Sequence, residues 1–206
     1  MLEINPKIKS LVDKLWARFW AGGISNPLTA IEQITYLLFI RQIDNLDRIE
    51  EEQSRARNHR FVSRFSGIYV APETHDEVPK SALRWSAFKD MPPATLLIHF
   101  QNNVFPFYKS LNGSDSLFAR HMKGAVCVIP TGALLASAIA LIEEIFEEIQ
   151  IDSHKNKHAF QDIQGDVYEL LLSEISSSGK NGQFRTPRHI VKLVVELVGP
   201  ELGQTI

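Results

Sequence analysis

Twice within its first 27 residues the chain sets asparagine before proline, and each time apolar residues then recur three and four apart. An asparagine side chain satisfies amides that a helix start leaves open, and proline in the first turn has no amide to satisfy. Asn5-Pro6 leads into Ile8, Leu11, Val12, Leu15, Trp16, Phe19 and Trp20; Asn26-Pro27 leads into Leu28, Ile31, Ile34, Leu38, Leu46 and Ile49. These patterns predict a first helix stopped by Gly22-Gly23 and a second running to about Glu52, packed antiparallel across their short link. Each has one apolar face that water does not tolerate, so the chain must build a helical bundle.

The rest of the sequence extends this reading. From Gln53 to Pro79 the periodicity fades into a long polar connection, with one short extended piece at Ile68-Tyr69-Val70. Ser81 to Lys89 reads as a short helix holding Trp85, and a further helix follows Pro92-Pro93 with Leu96, Leu97, Phe100, Val104 and Phe107 inside. Asn112-Gly113-Ser114-Asp115 makes a turn. Thr131 caps the next helix, whose inner face is Leu134, Leu135, Ala138, Ile142, Ile145, Phe146 and Ile149. Its Glu143, Glu144, Glu147 and Glu148 read as a solvated acidic stripe. The polar segment Asp152 to His158 is a domain boundary, giving a unit over 1–155 and a second over 156–206. In the second, Ile163, Val167, Leu170 and Leu171 mark a helix ending at Ser176-Ser177-Ser178-Gly179. A last helix has Thr186 as cap, Pro187 in its first turn, Ile190, Val194, Leu197 and Val198 inside, and Gly199-Pro200 at its stop. With little strand alternation and no internal repeat, the class is mainly α.

Composition then narrows the function. Twenty-two Lys and Arg against twenty-four Asp and Glu give a net charge of -2, so nucleic-acid contact must come from a local patch. The single cysteine, Cys127, sits among valines and suits a core residue in a reducing cytoplasm better than a nucleophile. The first residues lack the layout of a secretion signal, and the longest apolar run, Ala133 to Ile142, meets Glu143-Glu144 too early to span a bilayer. The expected protein is soluble and cytoplasmic, with no membrane partner.

The segment Gly179-Lys180-Asn181-Gly182-Gln183-Phe184-Arg185-Thr186-Pro187-Arg188 carries the most chemistry. Glycines lead into a helix start whose free amides hold anions, while Arg188 and His189 oppose the dipole there unless an anion compensates them. Phe184 offers a flat apolar surface. The same residues also fit a well-capped surface helix with an aromatic staple. Arg55, Arg57, Arg60 and Arg64, with His59, read either as DNA-phosphate contacts or as a solvated loop. Lys7, Lys14 and Arg18 form the ordinary polar face of the first helix. His154 and His158 have a metal-ligand spacing but no accompanying Glu or Cys, so no metal site is assigned. Trp16, Phe19 and Trp20 read as core, or as an aromatic surplus that docks a partner helix.

The string Asp166-Val167-Tyr168-Glu169-Leu170-Leu171, followed by Gln183-Phe184-Arg185-Thr186-Pro187-Arg188, resembles the modification (HsdM) subunit of type I restriction-modification systems, adenine-N6 DNA methyltransferases. Asn26-Pro27 through Arg41, the Trp85-Ser86 region and Ile129-Pro130 are similar to that family's N-terminal helical domain, so the resemblance covers essentially the whole chain. It implies a helical-bundle N-terminal domain followed by the first helices of a truncated Rossmann-like methyltransferase domain. It also implies that Gln183, Phe184, Arg185, Thr186, Pro187 and Arg188 belong to an S-adenosylmethionine pocket, the Thr186 hydroxyl and nearby amides facing the methionine carboxylate. The implied partners are a specificity subunit, a second modification subunit, a restriction subunit and double-stranded DNA. The family's glycine-rich cofactor loop and its Asn-Pro-Pro-Phe type motif do not occur before Ile206, so these residues alone are expected to be inactive and to bind no cofactor measurably. A different expectation remains open: a stand-alone helical interaction module that binds another protein without methyltransferase activity.

Overall fold

The computed structural model describes residues 6–111, 124–156 and 188–199. Helix α1 (Pro6–Ala21) buries Leu11, Val12, Leu15 and Phe19. Trp16 of the same stripe is partly covered and Trp20 is exposed. Gly23 takes φ 94°, a left-handed conformation that suits glycine. The amides of Gly23 and Ile24 turn back to the carbonyls of Trp20 and Phe19 at 3.2 and 3.0 Å, closing the helix end.

At the start of α2 (Pro27–Ala56) the Asn26 side chain accepts the amides of Leu28 and Thr29 at 2.9 and 3.4 Å, as the cap pattern predicts. The helix runs beyond the expected Glu52 and carries Arg55 within it. Its inner face also departs from the simple apolar stripe: Leu46 is exposed, whereas Gln33, Asp44 and Asp47 are buried. The expected contact of α1 with α2 is present but minor. The main partner of α1 is the later helix α6 (Gly132–Asn156), because the apolar face that starts at Leu134 lies against α1 as far as Gly22.

The loop after α2 leads to a two-stranded antiparallel ribbon, β1 (Ile68–Val70) with β2 (Glu77–Pro79), in the register Tyr69 opposite Val78. The extended piece at 68–70 was legible; its partner strand was not. Tyr69 packs edge-on against Phe107, 5.3 Å between centroids, and so ties the ribbon to the core. A 3-10 turn (Lys80–Leu83) and the short α3 (Trp85–Phe88) follow.

The single helix expected after Pro92-Pro93 is α4 (Pro93–His99), a π-helical turn (Phe100–Val104) and α5 (Phe105–Ser110). Pro106 has no amide for the carbonyl four residues back, and the chain meets this by widening: the Phe105 amide bonds the Phe100 carbonyl five residues away. Phe88 then meets Phe100 edge-on and Phe100 meets Phe105 at a tilt, with centroids 5.9 and 6.0 Å apart.

Thr131 caps α6 as predicted, its hydroxyl accepting the Leu134 amide at 3.2 Å. Leu134, Leu135, Ala138, Ile142, Ile145 and Phe146 are buried, and Ile149 is partly so. Helix α6 meets the start of α4 so closely that a Cβ on Gly132 would lie 1.8 Å from the Pro93 carbonyl oxygen, so no side chain fits there. The last described element, α7 (Arg188–Val198), ends at Gly199 with φ 57°, the predicted stop. Its predicted inner residues Ile190, Val194, Leu197 and Val198 are exposed, because nothing among the described residues covers them.

Candidate functional site

Two aspartates one helical turn apart on α2, Asp44 and Asp47, are 3% and 0% exposed, and each therefore needs partners for both oxygens. Arg84, at the start of α3, supplies a fork: Nη1 donates to Asp44 Oδ1 at 3.0 Å and Nη2 to Asp47 Oδ2 at 2.5 Å. The Ser86 amide donates to Asp44 Oδ2 at 2.9 Å. From the loop after α2, the Ser63 hydroxyl reaches Asp47 Oδ2 at 2.6 Å and the Arg64 amide reaches Asp47 Oδ1 at 2.9 Å. The Arg84 guanidinium lies over the Phe65 ring, 4.6 Å from its centroid. This seam is closed and saturated, and it pins α3 and the loop to α2. Beside it the phenol of fully buried Tyr108 is pushed well above its ordinary value, first by burial and then by the Asp44 charge, so it stays neutral.

A second charged group joins α2 and α3 to α6. Glu143 accepts Arg41 Nε at 2.5 Å, Trp85 Nε1 at 3.1 Å and Lys89 Nζ at 2.6 Å. Burial opposes the Glu143 charge, but the hydrogen bonds from Lys89 and Arg41 and their charges outweigh it and hold the carboxyl below its ordinary value. The same bond to Glu143 raises Lys89, against its own desolvation. Arg41 also lies over Phe146, its Cζ 3.7 Å from the ring centroid. The acidic stripe of α6 is therefore not simply solvated. Glu143 is a structural anion and Glu148 pairs with Lys7, while Glu144 and Glu147 face water. Sequence reasoning missed both seams. The available signal was Gln33, Asp44 and Asp47 standing in register with Leu37 and Ile40, where an apolar stripe should continue.

Between these elements lies a cleft of about 70 Å³, bordered by Arg41, Asn45 and Arg48 on one side and Ser86, Lys89 and Glu143 on the other. Pockets for nucleoside-sized ligands start near ~300 Å³, so this cleft does not hold S-adenosylmethionine. Of the sequence-predicted cofactor residues, Gln183 to Pro187 lie outside the described residues, and Arg188 is the first residue of α7. The four arginines expected in one loop separate, Arg55 lying within α2. Arg64 is committed to Glu50 through two bonds of 3.0 and 3.2 Å, and Arg55 to Glu51 at 2.7 Å. Arg57 closes α2 through its amide, which bonds the Gln53 carbonyl at 3.0 Å, and its side chain is exposed like that of Arg60.

Cys127 is half-buried, and burial pushes its thiol up against the smaller effect of the Ile129 amide, which gives no activated nucleophile. His154 falls in α6 and His158 outside the described residues. Among the described residues no three His, Cys, Asp or Glu side chains converge on a metal position, and no helix is long and apolar enough to cross a membrane.

Residues 4–142 match the HsdM N-terminal domain family, and residues 159–206 match the N-6 DNA Methylase family. Along its whole length the chain is 25% identical, over 214 aligned residues, to the type I restriction enzyme EcoEI methylase subunit of Escherichia coli. It spans 38% of that protein. No solved structure matches the chain. With the helical body from α1 into the first half of α6 inside the first matched region, the chain belongs to the HsdM N-terminal domain family.

Proposed function

We propose that the chain is the N-terminal portion of a type I modification subunit whose complete protein transfers a methyl group from S-adenosylmethionine to adenine N6 in double-stranded DNA. It does so together with a specificity subunit, a second modification subunit and a restriction subunit, in the cytoplasm. The observation that carries this reading is the order of the two family matches along one chain that aligns from end to end with a methylase subunit. The exposed apolar face of α7 supports it, since a helix of that kind is made to cover a sheet. A stand-alone interaction module would not require the methylase-like stretch after residue 159.

In this reading Gln183 to Arg188 hold the cofactor. The helix-start amides and the Thr186 hydroxyl bind its carboxylate, and Phe184 lies against its apolar portion. When bound, the cofactor supplies the electrophilic methyl group, and the protein's task is to hold and orient. The helical body serves assembly and DNA clamping, with Arg57 and Arg60 free to meet phosphate and with Arg55 and Arg64 tied more closely to the fold. Residues 1–206 contain neither the glycine-rich loop nor the Asn-Pro-Pro-Phe type motif and are inactive by themselves. In the full-length subunit, Thr186→Ala or Phe184→Ala should weaken S-adenosylmethionine binding about tenfold, measured by calorimetry, without loss of helical content. Unchanged affinity in both variants removes the site assignment.

A further inference from the structure

The cleft between α2, α3 and α6 has more hydrogen-bond donors than its own carboxylates can use. Every oxygen of Asp44 and Glu143 already accepts a bond from within the fold. Arg48, Asn45 and Ser86 border the same cleft, yet their side chains make no hydrogen bond or ion pair among the described residues. Glu51, one turn from Arg48, is turned to Arg55 instead. The charge balance points the same way. Arg41 and Lys89 share Glu143, and Asp44 is committed to Arg84, so among the described residues the Arg48 guanidinium at the rim has no ion-pair partner.

We propose that this cleft is a phosphate site, with Arg48 as its principal donor and Asn45, Ser86 and Lys89 completing the contacts. A guanidinium fork, an amide, a hydroxyl and an ammonium arranged around a space of about 70 Å³ match a tetrahedral oxyanion in size and in donor chemistry. Asn45 and Lys89 are partly buried, which strengthens their bonds to an anion relative to open water, while Arg48 and Ser86 stand exposed at the mouth. Glu143 acts here as the fixed counter-charge that keeps Arg41 and Lys89 in place, so the approaching phosphate meets a preformed rim. The phosphate belongs either to a polynucleotide backbone or to a small phosphorylated ligand. The inference stands on the cleft alone and is independent of the cofactor assignment at Gln183 to Arg188.

The test uses the 206-residue chain, with inorganic phosphate as first probe and a labelled DNA duplex as second, at two salt concentrations. Wild type should take up phosphate saturably, and Arg48→Ala should weaken it about tenfold, the loss expected for one charge-assisted contact. Asn45→Ala should weaken it less, and Lys14→Ala, on the exposed face of α1 and outside the cleft, should leave it unchanged. If Arg48→Ala also weakens duplex binding and flattens its salt dependence, the ligand is a nucleic-acid backbone. If duplex binding is unchanged while phosphate uptake falls, the ligand is a small phosphorylated molecule. No saturable phosphate uptake by wild type, or equal losses in Arg48→Ala and Lys14→Ala, overturns the proposal.

Discussion

The body formed by α1 to α6 and the helix α7 are written in the same amphipathic code, yet only the body buries its apolar faces. In α6, residues such as Leu135, Ala138 and Ile142 are 0% exposed, while in α7 Val194 and Leu197 are 50% and 76% exposed. The difference teaches that periodicity states which face needs cover and not whether cover is at hand. The body also carries charged seams that fix how its elements meet. Asp44 and Asp47 with Arg84 form a closed seam, and Glu143 with Arg41 and Lys89 a half-open one. Three substitutions probe these levels of commitment.

The largest effect belongs to the closed seam. Arg84→Ala leaves two buried carboxylates short of their fork, and removing one partner of a buried ion pair typically costs about 3–5 kcal/mol. Urea unfolding of the variant should show a loss in that range, together with loosening of the Ser63–Phe65 loop that the same guanidinium touches. A loss under ~1 kcal/mol would mean that the seam is wet and that the body is held by its aromatic core alone.

Glu143→Gln should have a smaller effect, about 1 kcal/mol, because the side chain keeps an acceptor for Trp85 and is partly open to water. Its signature is the pH dependence. The folded carboxyl lies below its unfolded value, so its stabilisation is full above the ordinary glutamate pKa of about 4.3 and is lost as pH falls through the lower folded value. The gap between wild type and Glu143→Gln should therefore close in acid. Lys89 is raised, so its contribution is present below its unfolded value and is lost as pH rises through the folded one, closing the gap again at the alkaline end. A gap constant from acid to neutral pH contradicts the ion-pair account.

These seams also mark where the sequence stops being readable. The Asn26 and Thr131 caps and the Gly23 and Gly199 stops were legible because each is satisfied by neighbours within a few residues. Asp44 and Asp47 were not, because the groups that make their burial possible, Ser63 and Arg84, come from elements that only the fold brings together. The preference of α1 for α6 over α2 is likewise a matter of which faces fit, and a short link does not reveal it. The partner strand Glu77–Pro79 has three residues and ends in proline, too little for an alternation to register. The π-helical turn hid in a run that reads as one helix, although Pro106 was its cause in plain view. For the cofactor segment the position is reversed: Gln183 to Pro187 are read from local chemistry and resemblance alone, and the geometry that would join them to a ligand lies outside the described residues.

The smallest effect sharpens the opening contrast most. Leu197→Gln replaces one good helix former by another at the most exposed apolar position of α7, so in the 206-residue chain urea unfolding should shift by less than ~0.5 kcal/mol. In a full-length subunit where a sheet covers this face, the same change puts an amide into an apolar contact. The cost should rise to about 2 kcal/mol or more. A loss that large already in the 206-residue chain would mean that α7 is packed as firmly as α6, and the contrast would disappear. No loss in the full-length protein would leave the face open there too, and its apolar residues would then have to serve an association between subunits instead of the interior of a second domain.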